Sequence, residues 1–421
     1  DITVFGAEPH PNYNRILLSP VLAGEQEFDD IVLNPLSWYA DHGITLHLGK
    51  EVTAIDRVRR RVVAADGTEA GYDRLLLATG SVPFILPVPG KDLAGVIGYR
   101  DIHDTRTMIE TARVSKHAVV IGGGLLGLEA ANGLKLRGMD VTVVHLAGWL
   151  LERQLDPVAG ALLETSLAQR GLAFRLNTST SEIIGDADGR VAAVRFSDGE
   201  QIPADLVVMA AGIRPNTALA QAAGIHCNRG IVVNDTLQTY DPRVYAVGEC
   251  AAHRGIAYGL VAPLFEQAKI CANHLATWGI GIYKGSTVST KLKVTGIDLF
   301  SAGEFMGGEG TEEIVLSDPA GGLYKKLVIR DDRLVGACLY GDTGDGAWYF
   351  RQIKDAVNIG ERRDTLAFGE TALGDSGTGG QDRAASMGDA DEVCGCNGVC
   401  KGTIVKAVRE QGLFTVDEVK K

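Results

Sequence analysis

The sequence predicts an α/β chain in which one doubly wound unit is inserted into another, and three observations predict it. A complete G-x-G-x-x-G loop stands at Gly122, Gly124 and Gly127, flanked by a strand-like run before it and a helix-like run after it. The chain opens on residues 1–5, which read as the second strand of another such unit and lead into Gly6, Ala7 and Glu8. A run at 75–81, read as a buried strand ending in small residues, is echoed at 206–212. Together these features predict two nested Rossmann-like domains.

The middle loop has the context that makes such a motif informative. Residues 118–121 form a short apolar run, the stretch from Leu125 to Arg137 carries an apolar stripe at helical spacing before Gly138, and residues 141–144 form a second apolar run. In this arrangement the first glycine makes the turn, the second lets the backbone approach a pyrophosphate, and the third packs helix against strand. The phosphates then meet free N–H groups at the positive end of the helix. A glycine turn of no function is the alternative, and strand, loop, helix and strand in register argue against it.

At the start of the chain Glu8 supplies the acid that grips an adenosine ribose. Such an acid normally follows its glycine loop by ~20 positions. A strand, a loop and a helix of roughly 25 to 35 residues are therefore expected ahead of Asp1. A solvated surface carboxylate is the other reading of Glu8.

The remaining elements follow in order. Residues 1–111 and 236–283 are expected to form the interrupted domain, and residues 112–235 the inserted one. The first domain resumes at residues 244–249, and residues 260–278 read as mostly helical. Residues 284–365 read as a small α+β module, with two strand-like runs flanking a turn at Asp331, Asp332 and Arg333. Residues 366–391 read as a linker poor in apolar residues. Residues 392–421 carry a cysteine block and an amphipathic helix from about Gly402 to Gln411.

Composition sets bounds on function. The 421 residues are 45% hydrophobic and 22% charged, which fits a globular chain of roughly two to four domains. The net charge of -12 argues against wholesale nucleic-acid binding. No apolar run approaches the ~18 residues of a membrane span. Seven unevenly spread cysteines do not form a secreted disulfide framework, so a reducing cytoplasm is expected.

No cysteine precedes Cys227, so a paired-cysteine redox centre beside the first nucleotide site has no counterpart in these residues. Cys394, Cys396 and Cys400 fall close together. An Fe–S cluster needs four thiolates. Exposed thiols or a partial zinc site are the alternatives for this block. Cys227, Cys250, Cys271 and Cys338 sit among apolar neighbours and read as core residues. The residue ending the second strand of the inserted domain is His145, with Arg153 further on. An acid there would select NADH and a nearby Arg NADPH, so both dinucleotides stay open.

Residues 15–20, the glycine-rich run at 122–129, residues 246–250 and the cysteine block at 394–400 together resemble the large subunit of bacterial assimilatory NAD(P)H nitrite reductase. The resemblance spans essentially the whole chain and corresponds to the front half of that subunit. It implies FAD in the interrupted domain, with Glu8 on the adenosine ribose and Arg15 near the pyrophosphate. Val52 would meet the adenine by its backbone. Ala78, Thr79 and Gly80 would line the flavin, and Glu249, after Gly248, would reach the ribityl chain, where many relatives carry Asp.

The resemblance further implies NAD(P)H in the inserted domain, with Glu129 and Gly212 near the nicotinamide half. Cys394 and Cys396 would provide two ligands of a [2Fe-2S] cluster of the bacterioferritin-associated ferredoxin type. The other two are expected in a C-x-x-C beyond Lys421, and Cys400 matches no ligand position. Sirohaem, a [4Fe-4S] centre and the reduction of nitrite to ammonium are expected outside this chain, together with a small nitrite reductase subunit and a homodimer. Arg15 as a surface ion-pair residue, Thr79 as a strand end and Glu129 as an early-helix acid are the plainer readings. The rival functions are a stand-alone electron-transfer subunit for nitrate reductase, ferredoxin or rubredoxin, and a nucleotide-binding redox sensor.

Overall fold

The computed structural model describes the chain apart from residues 278, 280, 288, 295, 371–386, 391, 395–398, 414–418, 420 and 421. In chain order, the elements that bear on the site begin with strand β1 (Ile2–Phe5), helix α1 (Leu18–Ala23), β2 (Ile44–His47), β3 (Leu75–Leu77) and β4 (Val96–Gly98). Helix α2 (Ile102–Ala112), β5 (His117–Ile121), α3 (Leu125–Leu136), β6 (Asp140–Val144) and α4 (Pro157–Gln169) follow. Then come β7 (Ala173–Arg175), β8 (Leu206–Met209), β9 (Val244–Ala246) and α5 (Val261–Leu275).

The chain divides into two compact units. Residues 1–72, 81–214 and 288–363 form one, and residues 73–80, 215–287 and 364–421 form the other. At the centre of the first unit lies a five-stranded sheet in the order β7-β6-β5-β8-β4, parallel throughout. Its strands are short, and the central β5, β6 and β8 are rich in valine and largely buried on both faces, as parallel strands covered by helices must be. The chain runs from β5 outward to β6 and β7, then returns to the other side of β5 as β8. That reversal is a topological switch point, and ligands of open α/β sheets bind at the carboxyl ends of the strands there. The mixed α/β architecture predicted by the sequence is the one observed. Strand β4 precedes residue 112 in the chain yet pairs into this sheet.

Helix α1 packs on α3 through an unusually close contact. A Cβ on Gly133, in the middle of α3, would lie 2.6 Å from Leu22 Cγ. Only a residue without a side chain lets Leu22 seat there fully buried. Arg137 donates to the last carbonyls of α1, at Val21 and Leu22, a favourable place for a cation.

The small module contributes a five-stranded antiparallel sheet from Ser289–Val294, Ile297–Gly303, Glu312–Asp318, Leu323–Arg330 and Arg333–Tyr340, with helix Gly346–Lys354 packed on it. Asp331 and Asp332 turn the last hairpin, both with positive φ, which matches the right-handed twist of the paired strands. This module is fixed to α4 by buried polar contacts. Asp156 caps α4, its Oδ1 accepting from Ala159 N at 3.0 Å. Its Oδ2 accepts from Tyr324 Oη at 2.6 Å and faces Lys326 Nζ at 3.7 Å. Ser166 and Tyr340 hydroxyls meet at 2.6 Å.

In the second unit β3 pairs in parallel with β9. The sequence reads residues 75–77 as a buried strand, but only Leu77 is buried, and Leu76 is 41% exposed. Successive residues of a strand point to opposite faces, so a strand covered on one face buries only the residues pointing to it. Further on, Glu392–Cys394 pairs antiparallel with Val399–Cys400, and helix Lys401–Gln411 follows.

Tyr324→Phe should lower the unfolding free energy by about 1–3 kcal/mol, because it leaves a buried carboxylate oxygen without its hydroxyl donor. Urea denaturation of the wild type and the variant measures this, and coincident midpoints would show that the contact contributes nothing.

Candidate functional site

The glycine loop lies at the carboxyl end of β5, at the switch point. Gly122 takes φ +129, and a Cβ there would lie 2.3 Å from the Ala210 carbonyl oxygen. A Cβ on Gly127 would lie 1.9 Å from the Gly122 carbonyl oxygen. Gly124 is different in kind. It is the N-cap of α3, no side chain caps the helix, and a Cβ there would meet nothing within 4 Å. The first N–H groups of a helix have no intrahelical partner. An uncapped helix start, with open space at its capping glycine, fits the pyrophosphate of a dinucleotide.

Gly123 connects this loop to the end of β6. Its N–H donates to His145 Nδ1 at 3.0 Å. The ring proton therefore sits on Nε2, which lies 3.0 Å from Glu152 Oε2. Leu151 N donates to the Gly123 carbonyl at 3.0 Å. Glu152 carries no signal in the sequence, because its role depends on the segment after β6 folding back to the loop.

On the same helix as the loop, Glu129 is half-buried and accepts from Ser19 Oγ at 2.7 Å. Ser19 in turn lies 3.2 Å from the buried Tyr99 hydroxyl. Burial pushes the Glu129 carboxyl up to about 7, against a smaller opposing effect of the serine hydrogen bond. Gly212, after β8, has φ +119 with open space at its Cβ position, and its carbonyl accepts from Phe84 N at 2.9 Å. Ser19 and Tyr99 are functional candidates that sequence reasoning missed, since nothing in spacing places them beside Glu129.

Within the first unit the structure brings Glu8 and Arg15 together as an ion pair. The second carboxylate oxygen of Glu8 accepts from Tyr13 Oη at 2.6 Å, and Arg15 also donates to the Arg100 carbonyl at 2.8 Å. Glu8 lines a cleft of about 270 Å³ with His10, Asp101, His103 and Arg106. Val52 is half-buried and pairs with Ala64. A larger cavity of about 310 Å³ borders His117, Asp140 and Thr142, away from the glycine loop at the amino ends of β5 and β6.

Within the second unit, Thr79 Oγ1 donates to the Asn216 carbonyl at 2.7 Å, beside the exposed Ala78 and Gly80 at φ +65. Gly248 has φ +87, with open space where a Cβ would be. Its N–H donates to the fully buried Gln267 at 2.9 Å, and the half-buried Glu249 follows it. Gln267 was not legible in the sequence. The open space at Gly248 fits a bound group that approaches the backbone closely.

Cys396 lies outside the described residues, and of Cys394 only its place at the end of a strand is described. Among the described residues no group of three or more His, Cys, Asp or Glu is arranged to hold a metal ion. Cys400 stands at the start of helix Lys401–Gln411, where the Thr403 hydroxyl at 3.2 Å holds its thiol below the usual range. Cys250, Cys271 and Cys338 are buried, and burial pushes the Cys271 and Cys338 thiols up to about 11 and about 12. Cys227 departs from the expectation of a core residue: it sits half-buried in a two-residue strand.

Residues 1–274 match the family model described as pyridine nucleotide-disulphide oxidoreductase. The chain belongs to that family. Residues 289–357 match the rubredoxin NAD+ reductase C-terminal domain. As a member of the pyridine nucleotide-disulphide oxidoreductases, the chain is an oxidoreductase with the family's FAD and NAD(P)H chemistry. It is 51% identical over 419 residues to a nitrite reductase [NAD(P)H] of Bacillus subtilis (strain 168), covering 100% of this chain and 51% of that protein. It is 46% identical over 420 residues to the assimilatory nitrate reductase electron transfer subunit of the same organism, covering 100% and 53%. The chain thus spans about half the length of these relatives, and the likeness to nitrite reductase drawn from its motifs is borne out. Among solved structures, a ferredoxin reductase of Rhodopseudomonas palustris is 27% identical with TM-score 0.77, over 85% of this chain and 89% of that one. A putidaredoxin reductase in covalent complex with putidaredoxin is 30% identical with TM-score 0.76, over 85% and 88%.

The Glu129 carboxyl ordinarily titrates at 4.5 and here at about 7. Between those values the folded chain keeps a proton that the unfolded chain has released, so stability falls as pH rises through that window. Glu129→Gln should flatten this slope by at most about 3 kcal/mol. Urea unfolding of both proteins at about pH 5 and about pH 8 measures it, and an equal slope in the variant would contradict the burial of an ionisable group there.

Proposed function

We propose that this chain is the electron-input part of an assimilatory NAD(P)H nitrite reductase. The observation that carries this reading is the open, uncapped start of α3 at Gly124, in a chain that resembles such an enzyme along its whole length. FAD, when bound, supplies the conversion of a two-electron hydride into single electrons.

The chain's own residues bind and orient. Gly122, Gly124 and Gly127 would hold the pyrophosphate of NAD(P)H against the helix start. Glu129 and Gly212 would flank its nicotinamide half. Glu8, Arg15, Val52, Ala78, Thr79, Gly80, Gly248 and Glu249 are the FAD-binding residues that the resemblance implies. In this reading residues 1–111 and 236–283 make the FAD domain, 112–235 the NAD(P)H domain, 284–365 the module after it, and 366–391 a linker. Residues 392–421 begin an Fe–S domain, in which Cys394 and Cys396 would provide two thiolates to a [2Fe-2S] cluster. Sirohaem, a [4Fe-4S] centre, nitrite, a small subunit, a homodimer and a cytoplasmic location belong to the whole protein in this reading. Among the described residues no helix is long and apolar enough to cross a membrane.

A second reading, an electron-transfer subunit serving nitrate reduction, is favoured by the 46% identity to a protein of that name. NADH-driven reduction of nitrite by the full-length protein, without added partners, supports the first reading. Reduction of dyes alone supports the second.

Gly124→Ala tests the loop with little effect on the fold, because its Cβ has open space in the protein. NADH affinity should fall at least about tenfold, or about 1.4 kcal/mol, while the unfolding midpoint stays. Gly127→Ala should lose both, since its Cβ collides with the Gly122 carbonyl. Wild-type NADH affinity in Gly124→Ala would remove the loop from the site. Cys396→Ser in the full-length protein should abolish NADH-driven nitrite reduction and spare dye reduction, and nitrite reduction at the wild-type rate would overturn the cluster's role.

A further inference from the structure

We infer that Glu152, rather than the residue ending the second strand, reads the adenosine ribose and gives the inserted domain a preference for NADH over NADPH. This rests on the reading that the loop at 122–127 binds a dinucleotide. In such domains the ribose is recognised by an acid at the end of the second strand. Here His145 stands at that place, and it is only 8% exposed. Both of its ring nitrogens are already committed within the protein. Nδ1 accepts from Gly123 N–H, and Nε2 donates to Glu152 Oε2. A neutral imidazole has one donor and one acceptor, so the ring has nothing left to offer a ribose.

The carboxylate that His145 holds is in a better position. The Glu152 side chain keeps 33% of its surface exposed, and only Oε2 takes part in the histidine contact. Its place is fixed from two directions. His145 grips the side chain, and the preceding residue, buried Leu151 at φ +55, donates its N–H to the Gly123 carbonyl. Gly123 is thus clasped through its N–H by the strand end and through its carbonyl by the segment that carries Glu152. The result is an anchored, solvent-accessible carboxylate beside the loop that would hold the pyrophosphate, supplied from seven positions further along the chain than the strand-end residue.

A carboxylate there accepts from a ribose 2′-hydroxyl and repels a 2′-phosphate. Arg153 is the neighbouring residue of the type that would favour the phosphate, and it is exposed. The hydrogen bonds that tie this segment to the loop hold Glu152. His145 is a positioning residue in this scheme, acting on the nucleotide only through Glu152.

Titration calorimetry with NADH and with NADPH, on the wild type and on Glu152→Gln and Glu152→Asp, tests the inference by binding alone. The wild type should bind NADH at least about tenfold more tightly than NADPH. Glu152→Gln should raise NADPH affinity and shrink that ratio about tenfold, with an unchanged unfolding midpoint. Glu152→Asp, which retains the charge, should keep most of the preference. An unchanged ratio in Glu152→Gln overturns the inference, as does a wild-type preference for NADPH that Arg153→Ser abolishes. Wild-type protein that binds neither nucleotide overturns the dinucleotide reading itself, an outcome distinct from a ratio that fails to move.

Discussion

Helix α3 begins in contact with the carbonyl of Gly122, so close that a single carbon atom on Gly127 would lie 1.9 Å from its oxygen. The helix can start there only because residue 127 has no side chain. That approach directs the uncapped end of α3 at the carboxyl ends of β5 and β8. It also brings the body of the helix, where Leu128, Ala130, Ala131 and Leu134 are buried, down onto the sheet. A second close approach lies less than two turns along, where Gly133 admits Leu22 and so seats α1. Two bare positions on one helix thus fix the start of the chain, the nucleotide sheet and the loop in one arrangement. The close packing of α1 is also what places Ser19 against Glu129.

Around that apolar arrangement the polar contacts act mainly as locators. Asp156 closes the first turn of α4 and receives the Tyr324 hydroxyl from the small module. A buried carboxylate is tolerable only when its oxygens are satisfied. The tyrosine, the helix N–H and Lys326 together provide that satisfaction. His145 works in the same way beside the loop, with the difference that its second partner, Glu152, faces solvent on one side. Glu129 is the contrasting case. Burial pushes its carboxyl up to about 7, the single serine hydrogen bond opposes that only in part, and no cation is among its named contacts.

Much of this was legible in the sequence, for stated reasons. The glycine loop, its flanking strand and its helix are local features, and their periodicity determines them. The hairpin at Asp331 and Asp332 was equally readable, because those residues tolerate positive φ. What was not legible depends on tertiary approach. Gly133 reads as a weak point in a helix until Leu22 is seen against it. Leu76 reads as buried until it is found on the opposite face of its strand from buried Leu77. A surface ion pair was the plainer reading of Arg15, and the structure supplies its partner, Glu8. Glu152 could not be found by spacing, since Leu151 must take a left-handed conformation to bring it back to the loop.

The central claim is that the start of α3 is a preformed seat for the pyrophosphate of NAD(P)H. A crystal structure of the protein with NADH bound tests it most directly. The account predicts the pyrophosphate oxygens within hydrogen-bond distance of the backbone N–H groups in the first turn of α3, with the loop glycines unmoved. A dinucleotide found with its pyrophosphate elsewhere, for instance in the cleft beside Glu8 and Arg106, would contradict it.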